Sequence, residues 1–254
     1  MASLATILHS CKSPPVKPKP PPTPAVPLVD LRKYPAKPIA RVPPRRPPPV
    51  AAAHPPFQCR KPLCEDYIRK LNLSKAYFAN QHDRCFCRQC HDPSRKDEKC
   101  GHRCTKFHGW IRLGLRLNEA HKKQWKIFTE WKTSYYGTSP NLLSSILSNR
   151  FIPFDGDQLA DGTQFNSGHP DPSHCTTCSS LADASQSKFT VRSNFKAMDG
   201  NNYYVRVVLQ CKQQPDTIIV KKDATSFQKT EWATKARSSV VPFGLLIQLQ
   251  LQKI

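Results

Sequence analysis

The amino-acid sequence predicts an α+β fold over residues 109–254, a mostly antiparallel sheet with few helices. Two observations carry this. Short runs of alternating apolar and polar residues recur from residue 110 to the C-terminus, and one stretch near their start carries a firm helical pattern.

The first strand is read at residues 111–117, where Ile111, Leu113, Leu115 and Leu117 alternate with Arg112, Gly114 and Arg116. Mixed apolar and polar residues at 126–130 and 131–136 read as further strand. A helix then opens at Ser139-Pro140, a capping residue followed by proline at the first helical position. Leu142, Leu143, Ile146 and Leu147 share one of its faces, and Arg150 and Pro153 close it. Residues 155–200 are polar and irregular. Two strands, 203–211 and 217–220, are expected to pair across a turn at 213–216. Residues 245–251 give the plainest strand, with Leu245, Ile247, Leu249 and Leu251 on one side.

Two segments precede this domain. Residues 1–56 hold 17 of the 25 prolines and no glycine. Proline fixes φ and lacks the amide donor, so a disordered, solvated, polyproline-like arm is expected. Its several PxxP spacings beside Lys or Arg would suit SH3- or WW-type protein partners. No apolar run reaches the roughly 18 residues of a membrane span, and no secretory leader is recognisable, so a cytoplasmic or nuclear protein without membrane association is expected.

Residues 57–108 are expected to form a zinc-binding module. Seven of the 11 cysteines lie between 59 and 104, with histidines interleaved. Without a secretory signal, thiols this dense indicate metal rather than disulfides. Cys87-Arg88-Gln89-Cys90 has the spacing of a tetrahedral ligand pair, flanked by Cys85 and His91. Cys59, Cys64, Cys100 and Cys104 are candidates for the other half. Phe86 is the only large apolar residue between Asn80 and Thr105, so a metal is needed to offset the chain entropy. Such a closed site would be structural. A second CxxC, Cys175 to Cys178, reads as two thiols in a loop, with His169 as a possible companion ligand.

The net charge of +21 is spread along the chain: +8 over residues 1–56, +6 over 57–110 and +7 over 111–254. This favours polyanionic partners, and nucleic acid is suggested by charge alone, since no reader motif accompanies it.

At the junction before the helix the sequence resembles a known module. Phe107 to Leu115, Tyr135-Tyr136-Gly137-Thr138-Ser139, Asp161-Gly162-Thr163, residues 204–212, and Glu231-Trp232 with residues 240–246 occur in the order seen in the C-terminal region of some neuralized-like proteins and invertebrate relatives. There, too, a cysteine-rich element (here Cys85 to His91) comes first. That region is similar to the ADP-ribosyltransferase fold of poly(ADP-ribose) polymerases (PARP type). The resemblance implies an NAD or ADP-ribose ligand, with Tyr136 at the family's histidine position beside Gly137 and Thr138. Asp183 stands near the position of its stacking tyrosine, and Glu231 at that of its catalytic glutamate. Two of three side-chain roles are thereby altered, which implies weakened turnover. The alternative is a non-enzymatic adaptor that uses its zinc module, basic surface and arm.

Overall fold

The computed structural model describes residues 59–87, 90, 107–159, 161–168, 172–222 and 230–252. The proline-rich arm, His91, Cys100, Cys104 and His169 lie outside them.

Helix α1 (Lys61–Lys70) starts with Pro62 in its first turn and ends with Arg69 and Lys70 near its carbonyl end, where cations are favoured. A short strand β1 (Arg84–Cys85) leads toward β2 (Trp110–Gly114), followed by α2 (Glu119–Gln124), capped by the Asn118 side chain. Then come β3 (Lys132–Thr138), α3 (Leu143–Asn149), β4 (Cys175–Cys178), α4 (Leu181–Ala184), β5 (Ser193–Lys196), β6 (Asn202–Gln213), β7 (Ile219–Lys222), β8 (Thr230–Thr234) and β9 (Val240–Leu251).

Every pairing among the described strands is antiparallel, in the order β1-β2-β9-β6-β3-β4-β8-β7, with β5 joined to β6. The α+β, mostly antiparallel expectation agrees with this architecture. Strand β6 is central because its apolar residues occupy both faces. Val205, Val207 and Leu209 face one side and Val208 the other, all fully buried. One edge of β6 pairs with β9 along its length. The other pairs with β5 up to Val205 and with β3 from Val207 onward, leaving a gap at Arg206. The proline within β9, Pro242, sits where the β6–β9 register shifts, a place that tolerates a missing donor.

The main core lies on the face of Ile111, Leu113, Val205, Val207, Leu245 and Ile247, covered by α1 through Cys64 and Tyr67 and by α3 through Leu143, Ile146 and Leu147. The opposite face is covered locally: Leu181 and Ala184 of α4 pack with Cys178, Val208, Leu246 and Trp110. Residues 59–85 thus share a sheet and a core with the later strands. Helix α1 is tied down further by Asp66, which accepts from the Met198 amide, and by a Tyr67–Ser193 hydroxyl contact at 3.3 Å. Tyr67→Phe should therefore lower stability by about 0.5–1.5 kcal/mol in urea titration, with an unchanged m-value.

Three expectations are corrected. Residues 126–130 form turns, with Lys126 at φ 47°, because Trp125 stacks on Trp131 (6.2 Å) and folds the segment back. The strands read at 203–211 and 217–220 do not pair with each other: a 3-10 turn (Pro215–Thr217) redirects the chain and β7 pairs with β8. Residues 155–200 contain β4, α4 and β5, and Cys175 to Cys178 is a buried strand rather than a loop. The predicted helix is present, entered through a 3-10 turn (Pro140–Leu142), and Arg150 ends it at φ 67°.

Candidate metal centre and ligand cleft

Four cysteines converge. Cys59 precedes α1, Cys85 ends β1, and Cys87 and Cys90 follow. Their sulfurs all lie within 4.8 Å of one another, with Cys59–Cys85 and Cys59–Cys90 at 3.5 Å. A tetrahedral ion at the zinc–thiolate length of about 2.3 Å separates its sulfurs by about 3.8 Å. The four could hold such an ion. The Cys90 thiol is pushed up to about 11, first by its hydrogen bond to Cys59, and Cys85 is raised mainly by burial. Four thiols so close can lose their protons together only around a cation. The pairing of Cys85 with Ile111 and the stacking of Phe86 on Phe107 (4.9 Å) fix this corner to the sheet.

Cys64 does not join them. It lies one turn into α1, fully buried in the apolar core, because a helix turns the residue five positions after Cys59 toward the sheet. The other CxxC does not chelate either. Residues three apart on a strand project to opposite faces, so Cys175 packs in one core and Cys178 in the other. Burial pushes both up to about 12, and Cys211, also buried, is raised as well.

A cleft of about 300 Å³ opens at the end of β3. Tyr136, Gly137 and Thr138 form one wall, and His174 to Thr176 of the β4 region another. Asp155 and Ser167 close one side and Lys188 and Phe189 the other. That volume is at the lower end of small-molecule sites. The Tyr136 hydroxyl is buried against Cys175 and Asp155 and bonded to Ser167; burial raises it well above its ordinary pKa, so it stays neutral. Asp155 is itself engaged by the Ser167 hydroxyl at 2.8 Å. Thr176 is 6 % exposed, and its Oγ1 has no hydrogen-bond partner among the described residues. Gly137 is required by packing: a Cβ there would stand 2.4 Å from the Ala184 carbonyl oxygen and 2.6 Å from the Phe189 Cβ.

Glu231 is placed less directly. Tyr135, Cys178 and Glu231 stand opposite one another across β3, β4 and β8, so Glu231 shares a face with Tyr135, not with Tyr136. It does not line the cleft, but its carboxylate is ion-paired with Lys188, which does. Asp183 lies on α4, where it accepts from the Ser180 hydroxyl at 2.6 Å and from the Gln186 amide. Thr176 and Lys188 were not singled out in the sequence. A lone threonine or lysine in a polar stretch carries no signal until the sheet brings it beside Gly137.

Among the described residues no helix is long and apolar enough to cross a membrane. Neither protein-family models nor curated proteins match this chain.

Proposed function

We propose that this is a zinc-containing protein whose sheet domain binds NAD or ADP-ribose in the cleft at the end of β3, without conventional turnover. Zinc is favoured for the cysteine centre because an all-thiolate tetrahedron suits it and leaves no open position for chemistry. The cleft reading is carried by one observation: Thr176 lines the cleft with Gly137 and Thr138, and its buried hydroxyl has no hydrogen-bond partner among the described residues. A buried hydroxyl left unpaired is costly, and a ligand amide or hydroxyl entering the cleft would satisfy it. The resemblance to PARP-type domains supplies the ligand class. Catalysis is disfavoured because Glu231 is neutralised by Lys188, and because Tyr136 points to the other face of the sheet and already bonds Ser167. A carboxylate already paired with an ammonium stabilises a developing oxocarbenium charge poorly. The adaptor reading, in which the basic surface and arm hold protein or RNA, would require binding that survives closure of the cleft.

Thr176→Val separates ligand binding from folding. Calorimetric titration should show NAD and ADP-ribose binding the native protein, and the variant binding about 2- to 12-fold more weakly. Its melting temperature should hold or rise, because an unpaired polar atom has been removed from the interior. No heat and no thermal shift with either ligand at millimolar concentration would end the cleft reading.

A further inference from the structure

A second groove, about 750 Å³, adjoins the cleft and shares Ser187 and Val191 with it. Arg206 lines it, at the position of β6 between its last partner in β5 and its first in β3. Arg192 lies beside it, over the Tyr204 ring at 6.0 Å. Neither arginine forms an ion pair with a carboxylate among the described residues. Asp183 of the neighbouring helix is occupied by Ser180 and Gln186. Two guanidinium groups in one groove repel each other, and burial and Arg192 together lower the pKa of Arg206. Guanidinium forks match phosphate oxygens in geometry, and the Ser187 side chain stands where the groove meets the cleft.

We infer that the groove of Arg192 and Arg206 binds the phosphate of a nucleotide-type ligand whose other end occupies the adjoining cleft. Phosphate binding here is independent of the function proposed above; the nucleotide identity rests on it.

Inorganic pyrophosphate probes the groove alone, and ADP-ribose probes groove and cleft together. Titration calorimetry on the full chain at low salt should show pyrophosphate binding that weakens as salt rises. Arg192→Gln and Arg206→Gln should each weaken it by about tenfold or more, with melting curves confirming that both variants fold. The remote exposed control Lys123→Gln should leave it unchanged. ADP-ribose should bind more tightly than pyrophosphate and lose affinity in the same two variants. Absence of pyrophosphate binding, indifference to both arginine changes, or an equal loss in Lys123→Gln would overturn the phosphate site. Arginine-dependent pyrophosphate binding with ADP-ribose no tighter would uphold the site and overturn only its link to the cleft. A single-stranded RNA decamer that outcompetes ADP-ribose through the same arginines would overturn the nucleotide ligand in favour of a polynucleotide backbone.

Discussion

Cys87→Ser, or exhaustive chelation, is expected to lower the melting temperature by about 10 °C or more and to release at least one equivalent of metal per chain. The size follows from what the four sulfurs join. Cys59 anchors the start of α1, Cys85 the edge strand β1, and Cys87 and Cys90 the segment beyond it. Strand β1 has only two residues, too few to hold a sheet edge by its own ladder. Without an ion its sulfurs would revert to crowded neutral thiols. The edge would then open, exposing Phe86 and weakening the cover that α1 gives Ile111 and Val205. Hydrogen exchange should rise first in residues 84–87 and at the β1 side of β2, while β6 and β9 keep their protection. Cys64→Ala provides the contrast. It removes a buried core atom and should cost some stability, yet leave the metal content unchanged, because Cys64 lies in the core and not among the four clustered sulfurs. Calorimetry with metal analysis reads both. Full stability in the metal-free protein would remove the structural role.

The residues that could be read correctly from the sequence are those whose partners are dictated by local pattern. Residues 245–251 alternate cleanly because one side of β9 faces the main core, and Leu246 breaks the alternation where α4 covers the other side. The helix after Ser139 was legible from its proline and its apolar face, and three of those four apolar residues are buried. The clustering of Cys85, Cys87 and Cys90 was legible because spacings this short keep their sulfurs close. What failed depended on distant partners. Cys59-x4-Cys64 has the spacing of a ligand pair, but α1 intervenes and sends the second cysteine into the core. Residues 203–211 and 217–220 read as partners because adjacent strands usually pair. A strand apolar on both faces instead needs two long neighbours, and β7 is too short and exposed to be one. The CxxC at 175–178 reads as a loop because its burial comes from strands β3 and β8, more than 35 residues away in sequence. Glu231 could be assigned only by resemblance, and its pairing with Lys188 depends on a loop that no local signal ties to β8.

Gly137→Ala is the second change expected to have a large effect, and it bears on stability and cleft alike. Gly137 has ordinary strand geometry opposite Val208, so the substitution adds no backbone strain. The cost comes from space. The new methyl would meet the Ala184 carbonyl oxygen at 2.4 Å and the Phe189 carbonyl oxygen at 2.9 Å, both backbone atoms that cannot swing aside. Helix α4 and residues 185–189 would have to lift off the sheet. Their contacts at stake are Leu181 and Ala184 with Cys178 and Val208, the Thr190 hydroxyl bonds to the Ser185 and Gln186 carbonyls, and the Lys188–Glu231 pair. Overpacking of this kind costs about 1–3 kcal/mol, and more where backbone blocks relaxation. For a domain of this size that lowers the melting point by roughly 2–4 °C per kcal/mol. The displaced segment also carries Lys188 and Phe189, which line the cleft, so ligand affinity should fall by more than the loss of one hydrogen bond, tenfold or beyond on the order of 1.4 kcal/mol. Ala184→Gly, which leaves the offending carbonyl in place but loosens α4, should restore part of the binding lost in Gly137→Ala if the clash acts through that helix. A Gly137→Ala protein that melts and binds like the native chain would mean that α4 does not rest on β3 in solution, and the cleft would lose one of its walls.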